Sequence, residues 1–428
     1  MQSPRIGSFE VSSIPCEVWS RIFSAILLQL KSTSVEFYLA CLDLASISSF
    51  LRGVVQRNSV FWTGIRLDHT TSEYSIQNII DRSRGQALDA VLELGACNTL
   101  PLERVWEIFG PLLYRCRSFA VRIHDAESLE SLACALDHAP LDRLTSLSFS
   151  VHSTIANSFP LPGSFDRFGH SLPSLRTLRI TRIPFVWITS QSLRGLTSLT
   201  IIDLPWSLMW SEWQAIATNA SGMKNLCVRN VGCKDFPSDL ATMLVFPSLE
   251  ELDFSFGLTC SSGGLLLRRC SAPLLATLRF HGNEAGHIVA LSFTMADLST
   301  IRHLVLSGVS NDAFCYFLFS RLCRLENLEV LQGDSAILDS ILAGDVKLGQ
   351  RSPPEGPVCP QLSSLHVSEA SPTDVRNFIV CRGSVVRAID RVVFGVESTR
   401  RFVGSEDLQW LRERAIIEFW YENDNQSS

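Results

Sequence analysis

Within the stretch HGNEAGH, His281, Glu284 and His287 place two imidazoles and a carboxylate inside seven positions, the residue types that bind a divalent cation. The stretch follows the alternating run LRF and is broken by two glycines, so the three residues span a strand end and a turn. Their spacing matches no zinc-protease motif, and the reading is of solvent-facing polar residues with no metal. No Gly-x-Ser-x-Gly elbow, Walker loop or Gly-x-Gly-x-x-Gly fingerprint occurs, so acyl transfer, phosphate cradling and dinucleotide binding lack their usual backbone devices. The thirteen cysteines are odd in number and contain no Cys-x-x-Cys pair; most lie in apolar runs such as LACAL and read as small hydrophobes. The chemistry-bearing residues therefore point away from an enzyme and from any cofactor.

Composition narrows the classes further. The 428 residues are 46% apolar and only 19% charged, which favours burial, and the length calls for several domains or an extended repeat. A net charge of −6 with scattered arginines gives no basic footprint for nucleic acid. Apolar stretches such as AILLQL and LACLDLASISSFL fall well short of the length needed to span a bilayer, and MQSPRIGSFEVSS has no secretory pattern. The expected location is cytoplasmic, nuclear or both. The three tryptophans of LPWSLMWSEW, Trp206, Trp210 and Trp213, could form an aromatic recognition edge, but interior packing is the favoured reading.

The elements that position everything else come from a repeat. LPSLRTLRI (172–180), FPSLEELDF (246–254), LLATLRF (274–280), LSTIRHLVL (298–306) and CPQLSSLHV (359–367) share the pattern Leu-x-x-Leu-x-Leu, with Ile, Phe or Val standing for one of its leucines. Anchored on the middle apolar residue, the repeat runs through Ile65, Leu92, Val121, Leu147, Leu178, Ile202, Leu226, Leu252, Leu278, Leu304, Leu331, Leu365 and Val392. Stretches with helical spacing, such as NDAFCYFLFSRLC, DSAILDSILAG and TDVRNFIVC, lie between anchors, each opening on or beside a capping residue. These segments resemble leucine-rich repeats, which implies an α/β fold: a curved parallel sheet inside and helices outside. In that family Asn or Cys commonly stands three residues after the last strand Leu, and here Asn283 fits. The Pro- and Gly-rich LGQRSPPEGPVCP reads as a loop inserted at about 345–360. SEDLQWLRERAIIEFWYEN, with Ser405 as cap and Leu408, Leu411, Ala415, Ile416 and Phe419 on one face, reads as a capping helix over 405–423.

Residues before Ile65 do not fit the repeat. They run Ile14-Pro15-x-Glu17-Val18-Trp19-x-x-Ile22-Phe23, then an apolar helix around Leu44, Ile47, Phe50 and Leu51, then Asn58-Ser59-x-Phe61-Trp62. Pro15 costs no hydrogen bond at a helix start, and Glu17 suits the first turn. Val18, Ile22 and Ala25 share one face and Trp19, Phe23 and Ile26 a neighbouring one, so the helix is apolar over more than half its girth: one face for its own domain, one for a partner. The order of residues over 12–64 resembles the F-box, with Leu51 where the family often has Trp and a longer span between Phe23 and Leu44. The resemblance implies an all-helical N-terminal domain that docks on the Skp adaptor of a cullin–RING ubiquitin ligase through Ile14, Pro15, Val18, Trp19, Ile22, Phe23, Leu44, Ile47 and Leu51. The other reading is a plain N-terminal cap on a repeat scaffold or inhibitor with no link to ubiquitin transfer.

The expected organisation is thus a disordered start (1–11), an F-box-like domain (12–64), an irregular solenoid (65–404), the capping helix, and a disordered tail (424–428). Strand residues next to each anchor turn away from the core and would line a concave face. They include Arg179, Asp203, Glu251, Asp253, Arg279, His303 and His366. Mixed signs on such a face fit a protein target whose charges match in register rather than a lipid or nucleic acid.

Overall fold

The computed structural model describes residues 45–68, 71–95, 101–125, 141–152, 172–183, 193–237, 242–255, 269–281, 298–308, 324–330, 359–382, 388–395 and 405–420, with isolated residues between these stretches and at 15, 17–19, 21, 22, 25 and 43. Two compact units divide at Ser192 and Leu193.

Unit 1 carries α1 (Ser49–Arg57), β1 (Gly64–Leu67), α2 (Glu73–Ser83), β2 (Leu88–Leu94), α3 (Leu102–Phe109), β3 (Cys116–Ile123), β4 (Ser146–Val151) and β5 (Thr177–Thr181). The strands pair in chain order, all parallel, and the register aligns Ile65, Ala90, Phe119, Leu147 and Leu178. Alternation is strict in β2, where every second side chain from Leu88 to Leu94 is buried. α2 starts at Ser72, whose side chain accepts from the Ser75 N–H, and stops at Arg84 in the left-handed region, burying Ile76 and Ile79. Arg115 is buried beyond α3, where its guanidinium donates to the Ser83 hydroxyl and the Gln86 carbonyl and ties two successive repeats together.

Unit 2 carries β6 (Ser198–Ile202), β7 (Leu208–Met209), α4 (Trp210–Asn219), β8 (Asn225–Arg229), β9 (Cys233–Lys234), β10 (Leu244–Val245), β11 (Glu251–Ser255), β12 (Cys270–Ser271), β13 (Thr277–His281), β14 (His303–Ser307), β15 (Asn327–Val330), β16 (Ser364–Val367), α5 (Pro372–Arg382), β17 (Arg391–Gly395), α6 (Glu406–Arg412) and β18 (Ile416–Trp420). Apart from two short side ladders, its strands pair in chain order and parallel, aligning Leu199, Leu226, Leu252, Leu278, Leu304, Leu328, Leu365, Val392 and Ile417. This is the expected repeat: one short strand per unit of sequence, with chain order equal to sheet order.

The local cause is a recurrent turn ahead of each strand. The residue three before the anchor donates its N–H to the carbonyl three residues earlier, in Leu196 to Leu193, Leu249 to Phe246, Leu275 to Ala272, Ile301 to Leu298, Leu325 to Leu322 and Leu362 to Cys359. Both ends of that turn are buried in every case. Each strand is thus delivered by two inward apolar residues before its anchor, and every such side chain removed from water contributes about 1.5–3 kcal/mol. After the strands, the fourth position past the anchor takes positive φ in Arg182, Asp203, Asn230 and Gly308. Only Gly308 adopts it without steric cost. The side chains at two of these turns join, Asn230 Nδ2 donating to Asp203 Oδ1 at 2.7 Å.

Several expectations need correction. Strand register puts the anchors at Leu199 and Leu328; Ile202 lies three residues further on and faces out with Arg229, and Leu331 is outside the described residues. Val121 and Leu92 are core residues of their strands but sit two positions past the aligned row. Helix α6 ends at Arg412, and Ile416–Trp420 form a strand where a helix to 423 was expected. The run Ile-Ile-x-Phe-Trp is β-branched and aromatic, which suits a pleated surface and pairs with β17. Asn283, the segments 1–11 and 424–428, and most of the 345–360 insertion lie outside the described residues.

Candidate functional site

Two surfaces hold the candidate residues. At the N-terminus, residues 17–19, 21, 22 and 25 are helical after Pro15, as are 43 and 45–47 ahead of α1. Val18 is 43% exposed, Ile22 37% and Ile47 68%, while Pro15 is exposed and Trp19 half-buried. Leu51 is only 6% exposed and belongs to the core of α1 with Val54 and Val55, so it cannot face a partner. Ile14, Phe23 and Leu44 lie outside the described residues. The closing Phe61 and Trp62 are buried; Trp62 Nε1 donates to the Val55 carbonyl at 2.8 Å, and the Arg82 guanidinium of α2 lies 4.5 Å from its ring.

The second surface is the outward side of the strands. Arg179 is exposed on β5 of unit 1. Unit 2 carries Glu251 and Asp253 on β11, Arg279 on β13 and His303 on β14, three neighbouring strands, and His366 on β16, beyond β15. Asp203 does not join them: it follows β6 in a turn, and the strand position matching the others is Thr200. Arg279 Nε donates to Glu251 at 2.8 Å, Arg229 reaches Asp253 at 2.6 Å, and His281 Nε2 lies 3.4 Å from Asp253. Further along, Glu329 lies between His303, at 3.7 Å, and His366, at 3.4 Å. Arg391 pairs with Glu418, and the Trp420 ring meets His366 edge-on at 5.1 Å.

Electrostatics on this face follow from half-burial. Burial pushes the Asp253 carboxyl up, but the His281 imidazole and Arg229 guanidinium outweigh it and bring its pKa down to about 2. A depressed carboxylate adds stability that is fully present above its unfolded value and is lost as pH falls toward the folded one. Asp253→Asn is therefore expected to lower stability by on the order of 1–2 kcal/mol near neutral pH and to match the parent below about pH 2, read from urea unfolding at both pH values. The His303 imidazole holds Glu329 below the usual carboxylate range against burial. Burial pushes His366 down, and Glu329 opposes that shift only in part.

Among the described residues no three His, Cys, Asp or Glu side chains are placed to hold a metal, and no helix is long and apolar enough to cross a membrane. His281 ends β13, and Glu284 and His287 lie outside the described residues. Trp210 and Trp213 are buried in α4, as interior packing required, while Trp206 is half-buried.

No family model matches the chain, and no curated protein matches it. Among solved structures, a chain of the crystal structure of the Rad7 and Elc1 complex in yeast matches at 12% identity with a TM-score of 0.37, covering 95% of this chain and 91% of that one.

Sequence reasoning missed Glu329, Arg229, Arg391, Glu418 and Trp420. The signal was present in LENLEV (325–330), a full Leu-x-x-Leu-x-Val hexad that puts Leu328 at the anchor and Glu329 beside it.

Proposed function

We propose that the chain is a non-catalytic substrate-recognition subunit of a Skp–cullin–F-box type ubiquitin ligase, with the N-terminal helices docking on the Skp adaptor and the outward strand face of the repeats binding a protein target. The observation that carries the reading is the exposure of Val18, Ile22 and Ile47 on helical residues that precede a repeat built for binding, where burial would otherwise be the favourable state. Apolar side chains left in water at one end of a 46% apolar chain fit a partner that covers them. The mixed ion pairs of unit 2 suit a target matched by charge in register.

The test is capture of the full chain on immobilised Skp adaptor. Wild type should be retained, and Val18→Asp with Ile22→Asp should lower retention at least about tenfold, with the melting temperature of the variant confirming that it is folded. Absence of wild-type capture, or equal capture of the variant, overturns the proposal.

One observation favours a second reading. Trp62 joins α1 to Arg82 of the first repeat helix, an arrangement equally suited to N-terminal helices that only cap a repeat scaffold. Under that reading the double aspartate variant changes nothing in capture, while removal of residues 1–64 exposes the core around Ile65 and Ile76.

A further inference from the structure

On the outward side of unit 2 the carboxylates follow a rule with one exception among the described residues. Glu251 pairs with Arg279, Asp253 with Arg229, and Glu418 with Arg391. Glu329 has no Arg or Lys in contact; its neighbours are His303 and His366. Its side chain is only 26% exposed, so the carboxylate has given up part of its hydration, while Arg279 acts on it only through space and makes its direct ion pair with Glu251. Along the same row, register places Val305 on one side of it and His366 and then Val393 on the other, and both valines are buried although they face outward.

The fold also builds a wall beside it. Trp420 starts on β18, two strands from His366 on β16, a backbone separation of about 9.6 Å. Its ring still reaches His366, so it passes over β17, whose residue opposite Trp420 is Gly395. A Cβ there would collide with the Ser368 backbone, so this position of β17 carries no side chain. Carboxylate, imidazoles and indole therefore form one continuous seat across β14 to β18, flanked by Arg279 and Arg391, each already held by its own acid.

We infer that this seat receives a single Lys or Arg side chain of the protein target, its cation meeting Glu329 and its stem lying against Trp420. The inference rests on the target-binding reading of the outward face and names the chemistry that the face selects. An ion pair completed in a half-dehydrated site is stronger than one on an open surface, and an indole beside it adds cation–π attraction. Glu329 carries the negative charge of the seat, and burial keeps the His366 imidazole from charging until the pH falls below the ordinary imidazole range, so His366 does not compete with an incoming cation near neutral pH.

The experiment uses the full chain and four sets of random heptapeptides with a fixed central Arg, Lys, norleucine or Glu, and scores retention by set. At about pH 7.5 the Arg and Lys sets should be retained about tenfold over norleucine. Glu329→Gln should abolish the preference, and Trp420→Leu should reduce it several-fold, with melting temperatures confirming that both variants are folded. Equal retention of the Arg, Lys and norleucine sets by wild type, or a preference that survives Glu329→Gln, overturns the inference. Adaptor capture by Glu329→Gln is measured in parallel. A chain that selects basic peptides but is not captured by the adaptor loses the ligase reading and keeps the seat; the opposite result loses the seat alone.

Discussion

Replacing Trp62 by alanine should destabilise unit 1 by about 3–5 kcal/mol, the range for truncating a fully packed tryptophan. Two further terms act in the same direction. Val55 lies in the last turn of α1, where carbonyls have no intrahelical partner, and the Trp62 indole N–H is what satisfies it. Arg82 loses the ring against which its guanidinium is placed. Trp62→Phe separates the contributions: it keeps most of the buried surface and removes the donor, so it should cost about 1–2 kcal/mol. Chemical unfolding of both variants measures the pair, and equal losses would show that the hydrogen bond, rather than the packing, dominates. A loss below about 1 kcal/mol for alanine would mean that the N-terminal helices are not coupled to the first repeat through this residue.

Gly395→Val should be nearly as damaging for the opposite reason, too much volume. A Cβ at this position would lie 2.8 Å from the Ser368 carbonyl oxygen and 2.9 Å from Ser368 Cα. Both are backbone atoms, so relief requires β16 and β17 to separate rather than a side chain to turn aside. Overpacking of this kind costs about 1–3 kcal/mol, and a β-branched side chain falls at the upper end. The substitution should also lift Trp420 off β17 and break its contact with His366, seen as a shift in the difference between the emission of each chain and that of its Trp420→Phe counterpart. Stability within about 0.5 kcal/mol of the parent, with unchanged emission, would refute this account of the close approach.

The repeat was legible because its unit is short and its apolar positions carry both burial and register. LPSLRTLRI and FPSLEELDF fix their strands unaided, since the apolar residues at −3, 0 and +2, Leu175, Leu178 and Ile180 in one and Leu249, Leu252 and Phe254 in the other, all face the same core. Where the reading slipped, another apolar residue stood nearby: Ile202 follows Leu199 and Ile201, and Leu331 follows Leu328 and Val330, so a spacing rule alone could settle on the wrong one. The slip at Leu331 concealed Glu329, and with it the centre of the seat. The end of the chain was misread because Leu408, Leu411, Ala415, Ile416 and Phe419 fit a helical face, whereas Ile416–Trp420 can also pair with the open edge of β17, and pairing won. The N-terminal pattern pointed to an exposed apolar face at Val18 and Ile22 but could not assign Leu51, whose inward direction depends on how α1 meets the 3-10 turn Ser59–Trp62. Trp420's reach over Gly395 was not legible at all, being a contact between side chains two strands apart.

The chain-order pairing of the strands carries a consequence for how the molecule is made. In unit 2, Leu226 finds its partner at Leu252, Leu252 at Leu278 and Leu278 at Leu304, each closing a loop of 26 residues whatever has formed before it, and the longest step, from Leu328 to Leu365, closes 37. Loop-closure entropy is then nearly constant from step to step. Assembly proceeds by growth from an existing edge, with a rate set by the neighbouring hexad instead of by the overall length, and a growing polypeptide can consolidate one repeat while the next is being synthesised.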